Sequence, residues 1–273
     1  MRVGLLTTGF PRFEGDCSGS FLLTLARGLA AHGHEVRVLA PEPAEPREPP
    51  EWPGIEVRWV RYAWPKRFQR TFYGSGAPEN LLRAPTKWLG AATFSTALLV
   101  VARRELADCD ALVSSWSIPC GLVASSIAGK RMHLCICHAT DVRWLSKLPG
   151  HRLIARQIAK GVTSMWFLSR TLRDRFFATA GLDPSSIGVH VGPMPIDAPT
   201  ALAEPRAELR RRLGIEGFTL LFLGRLVPVK GPDQLLLAVS QLPDPVSLRI
   251  GGDGPERGRL LEQARRLGID ATF

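Results

Sequence analysis

Short apolar runs alternate with helically spaced stretches along all 273 residues, which predicts an α/β chain with parallel sheets wound on both faces by helices. Two further observations support this class. Glycine-bearing loops follow apolar runs and precede helical stretches, the carboxyl edge at which such sheets bind ligands. The proline-rich stretch 192–205 has little periodicity and divides the alternation into two sets.

Taken in order, Val3–Thr7 is a buried-strand run, and Phe21–Ala31 has helical spacing with Phe21, Leu25 and Leu29 on one face, ending at Gly33. Glu35–Ala40 and the alternating Ile55–Arg61 are strands; Pro41–Pro53 between them, rich in proline and glutamate, is loop. Tyr62–Lys87 is irregular, basic and aromatic. Ala91–Leu106, Gly121–Ala128, Arg152–Lys160 and Arg170–Thr179 are predicted helices. Ala111–Ser115, His133–His138, Ser164–Leu168 and Ile187–Val191 are predicted strands. The second set holds a short basic helix, Glu208–Leu213, then strands Phe218–Leu223 and Val246–Ile250 and helices Pro232–Gln241 and Pro255–Leu267. Pro232 and Pro255 suit first helical positions, where the missing N–H costs nothing. Two parallel strands make a poor sheet alone. The expected domains are therefore 1–196, complete, and 197–273, doubly wound but incomplete.

Composition narrows the function classes. Hydrophobic residues at 45% and charged residues at 22% are globular proportions. A formal charge of +10 suits a polyanionic partner: nucleic acid, an anionic membrane face or a phosphorylated substrate. No nucleic-acid-binding module is recognisable, so no nucleic-acid partner is expected. Cys17, Cys109, Cys120, Cys135 and Cys137 are too few and too irregular for a disulfide framework, which fits a reduced cytoplasm. The apolar run Trp88–Ala102 is shorter than the roughly 20 residues of a membrane span. It reads as a buried helix, with a membrane-surface helix as the alternative.

Four segments carry candidate chemistry. Gly224–Gly231 (GRLVPVKG) lies between a strand and a helix, where Arg225 and Lys230 add two cations to a helix N-terminus and suit a diphosphate. Gly251–Pro255 (GGDGP) occupies the equivalent place in the next βα pair, and its glycines let backbone approach a phosphate or sugar. Neither is a Walker loop, and no G-x-G-x-x-G follows the first strand. Gly9–Ser20 joins the first strand to the first helix. His138-Ala139-Thr140-Asp141 sits past a strand, where an imidazole and a carboxylate could bind hydroxyls or move a proton. A metal site at His133, Cys135, Cys137 and His138 is disfavoured, because His138 takes the opposite strand face from the thiols. In 62–88, Arg61, Lys66, Arg67, Arg70, Arg83 and Lys87 interleave with Trp64, Phe68, Phe72 and Tyr73, a mix for sugars, bases or a membrane interface, or a plain basic loop over the core.

These motifs resemble glycosyltransferase family 4, retaining GT-B enzymes with two Rossmann-like domains. The resemblance is carried by FPRFEGDCSGSFLLTLARGLAAHGHEVRVLAP, WSIPCGLVA, HATDV, MWFLSRTL, VGPMPID, LGRLVPVKGPDQLLLAV and IGGDGPERGRLLEQA, in that order. It implies that Arg225 and Lys230 grip the donor diphosphate and stabilise the departing nucleotide, with no bound metal and no cofactor. It further implies that Gly15 and Gly19 face donor and acceptor, that His138 lies beside the transferred sugar with Asp141 near it, and that Ser169 and Arg170 sit at a cleft wall. Gly224, Gly252 and Gly254 complete the expected substrate contacts. The implied partners are a nucleotide-sugar donor and a carbohydrate or lipid-linked acceptor, in surface polysaccharide or glycolipid synthesis, in the cytoplasm and peripherally at the inner membrane face. Ala139 stands where the family has the glycine of H-G-x-D. The family's E-x7-E pair and closing helix have no counterpart, so the reading includes a C-terminal truncation. The alternative is a weakly active or inactive partner or regulator that binds a full-length glycosyltransferase or a membrane.

Overall fold

The computed structural model describes the chain except residues 46–49, 75, 85, 198–203 and 244–245 and the side chains of residues 78 and 83. Parts of the expected loop 41–53 and linker 192–205, and the Arg83 side chain, lie outside the described residues. The chain divides into two compact units, Met1–Asp197 and Ala198–Phe273.

The first unit is a seven-stranded parallel sheet: β1 (Arg2–Leu6), β2 (Glu35–Pro41), β3 (Ile55–Val60), β4 (Ala111–Ser115), β5 (Met132–Cys137), β6 (Ser164–Phe167) and β7 (Gly188–Val191). Its order is β3-β2-β1-β4-β5-β6-β7. The order reverses between β1 and β4, the switch point at whose carboxyl edge such sheets bind ligands. Helices are α1 (Ser20–Ala31), α2 (Ala77–Arg83), α3 (Lys87–Glu105), α4 (Leu122–Ile127), α5 (Ala139–Leu145), α6 (His151–Lys160) and α7 (Arg170–Ala180).

Alternate residues of the central strands feed different cores. Val3, Leu5, Val36 and Val38 pack with Leu22 and Ala26 of α1. Leu6 and Leu39 pack with Phe94, Leu98 and Ala102 of α3. A third cluster joins Cys135, Cys137, Met165 and Phe167 to Phe176 and Phe177 of α7. Each fully buried aromatic or leucine contributes about 1.5–3 kcal/mol of burial, which outweighs weak local preferences. Leu22 and Ala26 are the buried residues of α1, whereas Phe21, Leu25 and Leu29 are half-buried at its margins.

The structure corrects the sequence reading at one place and adds to it at two. Tyr62–Lys87 is not irregular throughout: it contains α2 and a 3-10 turn at Lys66–Phe68, and Tyr62, Gln69, Thr71 and Phe72 are buried. Gln69 Oε1 accepts the Tyr62 N–H at 2.8 Å, and Asn80 Nδ2 donates to the Thr71 and Tyr73 carbonyls at 3.0 and 2.8 Å, which ties the segment down. The expected helix Gly121–Ala128 is present as α4, and an irregular turn, Ser117–Gly121, precedes it. Helix α5 fills a stretch for which the sequence predicted no element.

The second unit has α8 (Arg206–Arg212), α9 (Pro232–Val239) and α10 (Arg257–Arg266) around strands β8 (Thr219–Leu223), β9 (Ser247–Gly251) and β10 (Ala271–Thr272). The order is β10-β9-β8, all parallel, so three strands stand where two were expected. Leu226, Leu236, Leu248, Ile250 and Leu260 form its core.

Candidate functional site

In the first unit, the β1–α1 loop folds on Asp16. Its carboxylate accepts the Arg12 backbone N–H at 3.0 Å, the Arg12 guanidinium at 2.6 Å and the Ser18 N–H at 3.1 Å. These contacts hold its pKa below the usual range despite the opposing effect of burial. The two expected glycines differ. Gly19, at φ +71, caps α1, and a Cβ there would fall 2.3 Å from the Gly9 carbonyl oxygen. Gly15, at φ +80, has open space around it, so only its backbone conformation demands glycine.

Next along the edge, β4 ends in Ser115, and Trp116 follows it. Trp116 has φ +81, a conformation that costs a bulky residue energy and that its surroundings must impose. His138 follows β5 as the N-cap of α5, 6% exposed. Its Nε2 lies 2.9 Å from Ser115 Oγ, and its ring meets Trp116 at 4.3 Å and Phe21 at 5.4 Å between centroids. Burial pulls the imidazole pKa down to about 4, so the ring is neutral at pH 7.

Asp141, in the first turn of α5, is buried, and its Oδ2 accepts the Ser117 N–H at 2.5 Å. Oδ1 and the neighbouring Ser117 Oγ are buried without hydrogen-bond partners. Burial, opposed by the Ser117 bond, pushes this carboxyl up to about 7. It therefore grips the turn that carries Trp116. His133 is a core group: Ser114 Oγ lies 2.8 Å from Nε2 and the Gly161 carbonyl 2.8 Å from Nδ1, and burial lowers its pKa to about 4. Cys135 and Cys137 are buried beside each other, Sγ to Sγ 4.0 Å. Among the described residues, no group of three or more His, Cys, Asp and Glu side chains is arranged to hold a metal ion.

Ser169 is the N-cap of α7: its Oγ accepts the Leu172 N–H at 3.3 Å. Arg170, the next residue, is exposed. In the basic aromatic segment, Arg61 lies over Trp64 at 4.3 Å and Arg67 over Phe68 at 5.3 Å, with Trp64 and Phe68 both exposed. Trp88 stacks on Trp144 at 4.9 Å.

In the second unit, the loops after β8 and β9 interlock. Gly224 N–H donates to the Gly251 carbonyl at 3.0 Å, and Leu226 N–H to that of Asp253 at 2.9 Å. A Cβ on Gly252 would stand 1.9 Å from Gly224 O, and one on Gly254 2.3 Å from Leu226 O. Loop-to-loop packing thus already requires these two glycines. Arg225 and Lys230 are exposed on the first of the loops, and Gly231 at φ +64 caps α9.

Sequence reasoning missed Ser115, Trp116 and Ser117. Trp116 and Ser117 open a quoted motif and Ser115 directly precedes it, yet nothing in residue type signals a left-handed Trp or a carboxylate on the Ser117 amide.

Residues 18–191 match the family described as Glycosyl transferase 4-like domain, and residues 205–273 match Glycosyl transferases group 1. Over 98% of its length the chain is 28% identical to a GDP-mannose-dependent alpha-(1-6)-phosphatidylinositol monomannoside mannosyltransferase of Mycobacterium tuberculosis, and it spans 64% of that relative. Over 45% of its length it is 34% identical to a D-inositol 3-phosphate glycosyltransferase of Acidothermus cellulolyticus, covering 29% of that protein. Among solved structures, Anabaena HepE in complex with UDP and glucose superposes with a TM-score of 0.63 at 18% identity, covering all of this chain and 68% of that one. The trehalose-phosphate synthase of Burkholderia vietnamiensis gives 0.65 at 14% identity, covering 97% of this chain and 69% of that one. The fold is thus GT-B, and the chain belongs to the glycosyltransferase 4-like family.

Proposed function

We propose that the chain transfers a hexosyl group from a nucleotide-sugar donor to a hydroxyl of a carbohydrate or lipid-linked acceptor, with retention at the anomeric carbon. The observation that carries this reading is the interlocked pair of loops after β8 and β9. Packing of Gly252 and Gly254 against the opposite carbonyls fixes the loop bearing Arg225 and Lys230 at the carboxyl edge of the sheet. In this proposal the two cations hold the donor diphosphate and offset the charge that builds on the departing nucleoside diphosphate. His138, neutral and set by Ser115, Trp116 and Phe21, faces the transferred sugar; Asp141 acts behind it. Gly15, Gly19, Ser169 and Arg170 line the carboxyl edge of the first unit's sheet, and Gly224 that of the second unit's.

The relatives' names suggest GDP-mannose as donor and an inositol-bearing lipid as acceptor. Work on such a lipid would take place in the cytoplasm at the inner membrane face. Among the described residues no helix is long and apolar enough to cross a membrane.

Calorimetric titration with GDP and UDP tests the diphosphate grip. Arg225→Ala and Lys230→Ala should each weaken binding by about tenfold or more, the loss of one charge-assisted contact, with folding unchanged. Undiminished affinity in both variants overturns the assignment. A second reading, a binding partner for another glycosyltransferase chain, draws on β8: it is a sheet edge among the described residues, and Leu221 and Leu223 are exposed along it.

A further inference from the structure

A neutral imidazole carries one ring proton, and the groups that its two nitrogens meet decide where that proton sits. Burial keeps His133 and His138 both neutral at pH 7. In each, Nε2 meets a serine hydroxyl at the end of β4. Ser114 Oγ lies 2.8 Å from Nε2 of His133, and Ser115 Oγ 2.9 Å from Nε2 of His138. All four residues are buried.

His133 shows how such a pair is wired. Its Nδ1 stands 2.8 Å from the Gly161 carbonyl, which can only accept, so Nδ1 carries the proton and the Ser114 hydroxyl donates to Nε2. His138 has the same serine contact, yet no protein group meets its Nδ1 among the described residues. Unlike Asp141 Oδ1 and Ser117 Oγ, that nitrogen is not a buried orphan. The serine proton decides between the two tautomers. Among the described residues Ser115 Oγ has no partner besides Nε2. An Nε2–H aimed at it would leave the serine O–H buried with no acceptor, the costlier arrangement. The ring is also held in place. Trp116 and Phe21 pack against it at 4.3 and 5.4 Å between centroids. The Trp116 N–H donates to the Ile136 carbonyl, and its own carbonyl accepts the Gly121 N–H, both at 2.9 Å.

We propose that Ser115 is a positioning residue that donates to Nε2 and locks His138 as the Nδ1–H tautomer, so that His138 meets the substrate as a hydrogen-bond donor to a sugar hydroxyl. The ligand oxygen takes the place at His138 that the Gly161 carbonyl takes at His133. With the Nε2 lone pair occupied by the serine and Nδ1 protonated, the ring has no free lone pair with which to take a proton. A histidine beside a carboxylate offers two roles, binding a hydroxyl or moving a proton, and Ser115 narrows them to the first. The sugar contact rests on the transferase reading. The tautomer rests on Ser115 and His138 alone.

The test is long-range proton–nitrogen NMR at pH 7 on the full chain carrying isotope-labelled histidine, with no substrate present. The chain has six histidines, and His138→Gln identifies the His138 signals by their loss. In the wild type, Nε2 of His138 should resonate as an unprotonated nitrogen and Nδ1 as a protonated one, the same pattern as His133. Ser115→Ala should populate both tautomers at His138 while His133 keeps its pattern. Should that variant not fold, the wild-type spectrum decides by itself. Titration with GDP-mannose should then move the Nδ1 signal of the wild type more than its Nε2 signal. A protonated Nε2 in the wild type, or a folded Ser115→Ala chain with an unchanged His138 pattern, overturns the lock. GDP-mannose that binds by calorimetry yet leaves Nδ1 unmoved overturns the sugar contact. Failure to bind GDP or GDP-mannose at all is failure of the transferase reading and takes the sugar contact with it, while the substrate-free spectra still decide the lock.

Discussion

Asp141 and the two buried histidines act on stability with opposite sign across one pH window. Burial raises the Asp141 carboxyl from 3.8 to about 7 and lowers His138 and His133 from 6.5 to about 4. Between about pH 4 and 6.5 the unfolded chain carries imidazole protons that the folded chain lacks, so the histidines make stability rise with pH. Asp141 does the reverse. Its folded form keeps a proton that the unfolded form has released, so its contribution is full below about pH 3.8 and is lost as pH climbs to about 7. Asp141→Asn keeps an oxygen to accept the Ser117 N–H and removes the ionisation. The variant should gain on wild type from pH 4 to 7, by as much as about 4 kcal/mol, and hold a constant difference above that. Denaturant melts followed by tryptophan fluorescence measure it, since all seven tryptophans lie in residues 52–166 of the first unit. A pH-independent difference would mean that the carboxyl ionises in the fold as it does in water.

At the level of elements, the loops after β8 and β9 form one interlocked structure, and substitution should show it. Gly252→Ala sets a methyl 1.9 Å from the Gly224 oxygen at φ +142, so backbone must move. It should destabilise the second unit by about 2–4 kcal/mol. Gly258→Ala, inside α10 with open space around the new methyl, should stabilise by about 0.5–1 kcal/mol. That unit has no tryptophan, so amide exchange in β8 and β9 is the readout; equal effects of the two substitutions would contradict the interlock. These loops also show what sequence can reveal. The strands were legible because each is an apolar run that must be covered on both faces. Glycine next to glycine after a strand was legible as a close approach, but not that carbonyl oxygens of the neighbouring loop stand where the Cβ atoms would go. Strand β10 was hidden because Ala271–Thr272 is too short to show periodicity. Helix α5 was hidden because Val142 and Leu145 are its only buried apolar residues, too few to show a period. The inward turn of Asp141 was unreadable, since its partner Ser117 lies more than twenty residues earlier.

For the molecule as a whole, the two sheets obey one rule with different completeness. Parallel sheets are stable when both faces and both flanks are covered. In the first unit β1, β4 and β5 lie inside seven strands, with separate apolar clusters above and below. In the second unit β8 is an edge among the described residues, and Leu221 and Leu223 on it are 63% and 73% exposed, beside Phe218 at 69%. Opening β8 therefore uncovers little apolar surface beyond what water already reaches, whereas opening β4 separates two cores. Hydrogen exchange on the intact chain should reflect that difference. Amides of β1, β4 and β5 should exchange only through global unfolding of their unit, and those of β8 at least roughly 100-fold faster. If β8 proves as slow as β4, something in solution covers Leu221 and Leu223, and the strand is paired after all; Leu221→Lys with Leu223→Lys should then restore fast exchange and release whatever had added itself to that edge.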